Sequence, residues 1–264
     1  MFQDQYPHFE KDSVLKADML VNLMAYPRDM FSLMYQDYSD GIVTGVHILV
    51  EDSLSEAGGY LVVKPGIVKY QGRLYHMQQE CRIPYEATEK KVMLKIKFLE
   101  VNATNDFTEY HTRIVLDEDV ELQVDEMELC RFLLKEGARL RQDYQDVKDF
   151  DTEHNTVNRI HVPFSGIEEA TIAPEITTYF GRELMKYQST NPYDIGFAMI
   201  CMQQNQIQRT VIMQYLNARI NVRADSKLSN EQIHTYLVMI MDEVKAGRTA
   251  RTSSERMGRR VIVE

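Results

Sequence analysis

Apolar residues recur at helical spacing at both ends of the chain, whereas the middle alternates like β-strands. Between residues 14 and 23, apolar positions follow a period near 3.6, which is typical of an amphipathic helix. Asp12 or Ser13 is placed to cap that helix. Pro27 fits the first turn of a second helix. The sequence therefore predicts two short helices within an N-terminal segment, residues 1–40.

Residues 41–141 carry the pattern of a β module. Pro65-Gly66 predicts a tight turn with a positive-φ glycine, and Gln71-Gly72 predicts another turn. Within residues 91–99, the side chains of Val92, Leu94, Ile96 and Phe98 alternate with those of Met93, Lys95 and Lys97. This alternation predicts a strand with one solvent-exposed face. Frequent turns favour an antiparallel sandwich or barrel over a parallel sheet. The predicted strands cover residues 42–43, 46–50, 60–63, 67–70, 73–77, 91–99, 110–116 and 128–135.

An acidic linker over residues 142–173 leads to a predicted three-helix domain, residues 174–246. The first helix follows Pro174, and the second opens at Asn191-Pro192 and reaches about Ile220. Ser229, with Gln232 three residues later, predicts a capping box for the third helix, and Gly247 predicts its end. The predicted fold class is α+β, with N-terminal helices, a central antiparallel β sandwich or barrel and a C-terminal helical bundle.

The last segment, residues 247–264, is predicted to be a flexible basic tail. From residue 248 onward it holds five Arg against two Glu. Its end, residues 261–263, reads Val-Ile-Val and could add a strand to the sheet edge of a partner. The alternative is an unstructured terminus.

The formal charge of −10 comes from a single stretch of the 264-residue chain. Residues 100–153 hold 16 acidic against 6 basic residues, which disfavours binding to nucleic acid because phosphate backbones attract Lys and Arg. The chain has neither a phosphate-binding loop of the NTPase kind nor a Gly-x-Gly-x-x-Gly turn. Apolar runs are far shorter than a membrane span. The N-terminus has no secretory pattern, so we expect a cytosolic protein.

The acidic run from Asp117 to Glu128 could hold a hard cation, but its spacing lacks the order of a calcium loop. A solvated charged turn between two strands is the favoured interpretation. No two histidines have the i, i+4 spacing of a zinc pair. Cys81, Cys130 and Cys201 form no close pair, and we expect them to be reduced core thiols. No metal or cofactor is predicted.

A weak candidate for a catalytic site combines Asp149 and Asp151 with His154 and His161. A histidine oriented by a carboxylate could activate a nucleophile such as Ser165. Ser165 lies in Pro-Phe-Ser-Gly, however, and not in a Gly-x-Ser-x-Gly elbow. A related alternative is a hydrolase of polysaccharide or cell wall that uses carboxylates within residues 143–153.

Two further patterns concern binding surfaces. Tyr60, Tyr70, Tyr75 and Tyr85 could stack on sugars if they are exposed, which is the alternative of a carbohydrate-binding module. The 15 methionines cluster in the predicted helices. There they are expected mainly as core filler, with an adaptable protein-binding surface as the alternative.

Three segments of the β module carry a resemblance to a known class of proteins. They are residues 38–46 (Tyr-Ser-Asp-Gly-Ile-Val-Thr-Gly-Val), residues 61–73 with Pro65-Gly66 and Gly72-Arg73, and residues 128–138. In this order they resemble the small β modules of phage tail and baseplate proteins. From about Phe9 to Met241 the chain is similar to proteins carried in prophage-like regions of low-GC Gram-positive bacteria. Some of those bear a helicase label, which this sequence does not support.

The resemblance implies a structural adaptor of a phage-derived tail or baseplate that mediates protein–protein assembly without catalysis. Its implied partners are other tail or baseplate proteins, in a homo-oligomer or a hetero-assembly. The implied location is the bacterial cytoplasm during assembly and the phage-like particle afterwards. The turns of the module would be set by Gly41, Gly45, Gly66, Gly72 and Gly137.

Overall fold

The computed structural model describes residues 4–11, 14–52, 58–104, 106, 108–152 and 154–258, with the backbone alone for Asp52 and residues 248–258. Helices and antiparallel sheets occupy separate parts of the chain, which confirms the α+β class. The strands are β1 (Gly41–Gly45), β2 (Ile48–Asp52), β3 (Gly58–Val63), β4 (Gly66–Tyr70), β5 (Arg73–Met77), β6 (Cys81–Glu86), β7 (Lys91–Ala103), β8 (Thr108–Asp117) and β9 (Glu126–Leu133).

The described strands form three antiparallel sheets of three strands each, in the orders β1-β4-β5, β2-β3-β6 and β8-β7-β9. They do not close into a barrel, so that part of the prediction was wrong. Strand β6 was missed because Pro84 interrupts its pattern. The structure places β6 at a sheet edge, paired only with β3 among the described strands, where a proline is tolerated.

One of the two predicted turns has the expected conformation. Gln71 and Gly72 have φ of 48° and 73° and join β4 to β5 as a two-residue hairpin. Gly41, Gly45 and Gly137 also have positive φ. Gly66 does not, which corrects the prediction, and its role is close packing. A Cβ there would lie 2.5 Å from both the Thr44 carbonyl oxygen and the Val46 backbone nitrogen.

The face of β7 that was predicted to be exposed to solvent is covered by other parts of the chain at Met93 and Lys95. Met93 is fully buried and Lys95 is 1% exposed. Lys95 Nζ lies 2.9 Å from a Glu126 carboxylate oxygen and 3.2 Å from one of Asp117. The same amine donates to the carbonyl of Asp119 at 3.2 Å. The acidic run therefore folds back over β7. Asp117 at its start and Glu126 near its end join an internal ion network, so the run is not a wholly solvated turn.

At the N-terminus a single helix, α1 (Ala17–Met34), replaces the two predicted helices, and Pro27 lies inside it. Lys16 precedes α1 without a side-chain cap. The predicted caps, Asp12 and Ser13, lie outside the described residues.

The C-terminal part contains four described helices, where three were predicted. All three predicted starts are confirmed. The first helix begins at Pro174, Asn191 Oδ1 accepts from the Tyr193 N–H at 2.9 Å, and Ser229 and Gln232 form the capping box at 3.1 and 2.8 Å. The helices are α2 (Pro174–Lys186), α3 (Pro192–Gln203), α4 (Arg209–Ile220) and α5 (Asn230–Gly258).

Two helix boundaries differ from the prediction. The second predicted helix breaks at residues 204–208, where Gln206 donates to the Ser165 carbonyl and Gln208 Oε1 accepts from the Ile167 N–H. These bonds hold the chain against the 165–167 segment, and α3 ends there. The last helix continues past Gly247 to Gly258, so Gly247 does not end it.

The β strands and helices α2–α5 share one hydrophobic core, which runs from Ile42 to Val244. Arg159 lies at their junction, 5% exposed. It donates to the carbonyls of Val46 and Leu129, both at 3.3 Å, and to the Glu175 carboxylate at the start of α2. The segment that was predicted as a linker therefore carries a buried contact between strands and helices.

Replacing Gly66 with valine should destabilise the protein by roughly 2 kcal/mol or more, because the backbone atoms around a new Cβ cannot yield. Urea unfolding followed by circular dichroism measures the loss. Gly196→Val is the matched control, since nothing lies within 4 Å of a Cβ there. Equal unfolding midpoints for the two variants would contradict this account of Gly66.

The Glu126 network predicts a pH dependence of stability. Burial disfavours the charged carboxylate, but hydrogen bonds from Lys97, the Gln123 N–H and Lys95 outweigh it and lower the pKa of Glu126 to about 2. A carboxyl with a lowered pKa stabilises the fold above its unfolded value of 4.5, and this stability is lost as the pH falls towards about 2.

The free energy of unfolding should therefore drop more steeply between pH 5 and pH 3 in the wild type than in Glu126→Gln. Urea titrations at several pH values measure this slope. Glu118→Gln removes an exposed carboxylate from the same acidic run and should keep the wild-type slope. If Glu126→Gln has the same slope as the wild type, Glu126 is not the source of this pH dependence.

Candidate assembly surface

Helix α1 exposes its apolar side chains. None of its described residues is buried, and nine large apolar side chains are 40–73% exposed. At about 100° per residue, all but one of them, Val21, lie on one half of the helix circumference. Most polar side chains lie on the other half. The exposed apolar residues are Leu20, Val21, Leu23, Met24, Tyr26, Met30, Phe31, Leu33 and Met34.

Lys69 on β4 ties the end of α1 to the β module. Its amine donates to the carbonyls of Tyr35 at 2.5 Å, Gln36 at 3.0 Å and Tyr38. A cation is stabilised at a helix C-terminus because the last carbonyls lack partners within the helix. Lys69 is 5% exposed, so this buried contact fixes the C-terminal end of α1 against the β module.

A groove of about 770 Å³ lies between α1 and the β module. Arg28, Phe31 and Ser32 of α1 line one side. Strands β4, β5 and β8 supply the other side, where the Arg73 guanidinium lies 4.0 Å from the centre of the Tyr110 ring. The apolar half of α1 and this groove together are named the assembly surface.

Three of the predicted catalytic candidates, Asp149, Asp151 and Ser165, have structural partners. Asp149 accepts two hydrogen bonds from Arg141, and this contact holds the pKa of Asp149 well below its usual range. Asp151 accepts from the Asn158 amide at 3.3 Å. Burial lowers the pKa of His161. The Ser165 hydroxyl donates to the Ser39 carbonyl at 2.6 Å, which uses its proton in a contact within the fold.

In the alternative hydrolase site within residues 143–153, the described carboxylates of Asp146 and Asp149 are also held in ion pairs. Asp146 and Asp149 line a cavity of about 360 Å³. Asp146 lies 2.5 Å from Lys245 Nζ, and Asp149 is held by Arg141. Their ion pairs favour the charged forms of both carboxylates, so neither is poised as a proton donor. Glu153 lies outside the described residues.

The four tyrosines do not form a platform for sugars. Tyr85 is 3% exposed. Tyr70 stacks on Phe98 at 3.8 Å, and Tyr75 packs edge-on against the same ring. Tyr60 is exposed, with a guanidinium 5.2 Å from its ring centre.

Within the described part of the chain, no cluster of three or more His, Cys, Asp or Glu could hold a metal ion. The three cysteines are free thiols. Burial raises the pKa of the Cys130 and Cys201 thiols to about 12, and Cys81 is half-buried. Among the described helices none has the length and apolarity of a membrane span.

The assembly surface was only partly predictable. Periodicity indicated the apolar face of α1, but it gave no information on what covers that face. The methionines of α1, expected mainly as core filler, are not buried, whereas Met213 and Met241 are in the core. An apolar helical stripe outside both the predicted β module and the predicted three-helix domain is the signal that could have indicated an interface.

The chain was compared with known proteins at three levels. No protein-family model matches it, and no curated protein matches it. Among solved structures, it is similar to a crystal structure of TssK, with a TM-score of 0.44 and 9% sequence identity. The alignment covers 93% of this chain and 72% of that one. A likeness this distant assigns neither a family nor a function.

Proposed function

We propose that the protein is a non-enzymatic structural adaptor that assembles with other copies of itself through α1, as a component of a phage-derived tail or baseplate. It would assemble in the bacterial cytoplasm and remain in the finished particle. The observation that carries the proposal is an 18-residue helix without a buried residue, whose apolar half faces solvent.

The apolar area on α1 is large enough for a stable interface. Nine large side chains, about half exposed, present on the order of 1,000 Å² if each offers roughly 200 Å² in full. A standard interface buries about 800 Å² per partner. Most of the stability of a helix in a protein comes from packing of its amphipathic face, so burial of the apolar half also stabilises the helix itself.

The composition of α1 favours a protein partner over a membrane surface. Helices that lie on membranes are rich in Lys and Arg on the polar face. The charged residues of α1 are Asp18, Arg28 and Asp29, which do not attract anionic lipid. Its four methionines suit packing against other helices because the unbranched side chain adapts its shape.

The width of the apolar face supports an assembly of three or more copies. A helix that pairs with one other helix in a coiled coil uses a narrow stripe, and a helix that faces a core shows one of about 100° or more. The apolar residues of α1 span about 180°, enough for two neighbours. A second copy carries the same face at the same concentration, and cyclic arrangements of identical helices bury it on every copy.

The mass of the purified protein in solution tests the proposal. Light scattering over a range of concentrations should give at least three times the 30.8 kDa of one chain. High salt should leave this mass unchanged, since the contact is apolar. The double variant Leu23→Glu/Met30→Glu, which places two charges in the middle of the apolar half, should be monomeric.

The matched control is Val124→Glu/Met239→Glu, which adds two charges at exposed apolar positions outside α1. It should assemble like the wild type. A wild-type monomer at every concentration would refute the proposal, as would an α1 variant with the wild-type mass.

A further inference from the structure

Strand β5 lies along the groove between α1 and the β module, at the edge of its sheet. Among the described strands it pairs only with β4, in a register that runs from Arg73 opposite Tyr70 to Met77 opposite Gly66 without a bulge. Residues 72–77 all line the groove, and none of residues 73–77 is buried. A regular strand edge that is open to solvent can pair with another extended backbone.

The backbone groups on this edge belong to Leu74 and His76. Arg73 and Tyr70 flank the two-residue turn and form the hydrogen-bonded pair that closes the hairpin. Hydrogen-bonded and non-hydrogen-bonded pairs alternate along an antiparallel ladder, so Leu74 and His76 direct their N–H and C=O groups away from β4. No group in the described part of the chain bonds to them there. The edge thus offers the donors and acceptors that strand addition uses.

A strand added beside β5 would be covered on both faces. Lys69 is directly opposite Leu74 and its amine bonds to the end of α1, so α1 lies over that face of the hairpin. The other face carries Arg73, whose guanidinium lies over the Tyr110 ring of β8. Phe31 of α1 and Tyr110 line the groove from these two sides. The added strand would therefore lie between α1 and β8.

Coverage on both faces selects the sequence of that strand. Strands covered on both faces are near-continuous apolar runs rich in Val and Ile, whereas half-exposed strands alternate apolar with polar residues. An alternating strand would bury polar side chains against apolar ones in this groove, at a cost in free energy. The apolar lining includes Phe31, Ile67, Val68, Met77, Ile96 and Ile114.

The chain carries such a run outside the described residues. Residues 259–264 read Arg-Arg-Val-Ile-Val-Glu, and the remaining undescribed segments, of which residues 53–57 are the longest, have no run of three apolar residues. Helix α5, which precedes this run, packs against α2 and residues 147–151 in the helical part of the molecule. The groove instead lies beside α1, the proposed contact between copies. A second copy is therefore placed to supply the run.

We propose that residues 261–263 of one copy add to β5 of a second copy as an antiparallel strand. A register with Val263 opposite Leu74 and Val261 opposite His76 also places Glu264 beside Arg73. This contact rests on the proposed self-assembly, which brings the copies together, and it adds an exchange of chain ends to that assembly. The tail of the same copy and a strand of another protein are the occupants that the experiment must exclude.

The first measurement is fluorescence anisotropy with a labelled peptide of residues 257–264. The receptor is the full chain with Ile262→Asp, whose own tail no longer suits the groove. Binding should be saturable below about 1 mM peptide. A peptide N-methylated at Val261 and Val263 should lose binding, because those N–H groups would pair with β5. A peptide N-methylated at Ile262, whose N–H would point away from β5, should keep it.

On the receptor, His76→Pro removes one N–H from the open edge and should weaken binding at least about tenfold. Proline is tolerated at a strand edge, and the side chain of His76 is exposed. His76→Ala keeps the N–H and is the matched control, which should bind like the chain with His76. Absence of binding, or equal binding by the two methylated peptides, would overturn the proposal.

Hydrogen exchange identifies the source of the tail. The amides of Leu74 and His76 should exchange more slowly in the wild type than in Ile262→Asp. Co-expression of Ile262→Asp with His76→Pro, whose tail is intact, should restore slow exchange at β5 of the Ile262→Asp chain. Slow exchange in the wild type without this restoration would place each tail in its own copy. Peptide binding with equal exchange in the wild type and Ile262→Asp would assign the groove to another protein, and either result overturns the exchange.

The two proposals can fail separately. Ile262→Asp leaves α1 unchanged and should keep the wild-type molar mass. Leu23→Glu/Met30→Glu should be monomeric and should still bind the peptide, since neither residue lines the groove. A monomeric wild type that binds the peptide would refute the assembly through α1. An assembled wild type with equal exchange at β5 in Ile262→Asp would refute the tail contact alone.

Discussion

The buried guanidinium of Arg159 is the contact on which the junction between the β strands and the helices depends. It bonds to the Val46 and Leu129 carbonyls and to Glu175 on α2, and it lies 5.2 Å from the centre of the Phe164 ring. A buried charge is tolerated only when it is paired and its hydrogen bonds are made. Because one side chain satisfies strand and helix groups together, α2 is fixed relative to β1.

Local signals in the sequence predicted the fold where the cause is local. The capping box of Ser229 and Gln232 needs only four residues of chain, and the Gln71-Gly72 turn needs only two residues that adopt positive φ. Distant contacts were not predictable. The break after α3 depends on the 165–167 segment, and the burial of Lys95 depends on an acidic loop that folds back over it. Gly66 was recognised as important for the wrong reason, because the backbone of β1 that crowds it is distant in sequence.

The candidate surfaces were likewise predictable only where their cause is local in the sequence. Periodicity indicated the apolar half of α1, since that depends on spacing alone, but only the structure shows that the described residues leave it uncovered. The groove beside β5 had no sequence signature. Its walls come from residues 28–32, 72–77 and 110–114, and no single motif joins them. The candidates that did have a pattern lie in the 149–161 segment, and two of them, Asp149 and Asp151, are occupied by structural contacts.

In the proposed assembly, the exposed helix would distinguish a free copy from an assembled one. A lone subunit presents methionine, leucine and phenylalanine side chains that the finished assembly would bury. Transiently exposed apolar segments of this kind promote aggregation and are the surfaces on which chaperones and proteases act. If the copies assemble as proposed, surplus subunits would be removed while incorporated ones persist. The apolar side chains that would join the copies would then also set the cellular lifetime of any copy left without neighbours.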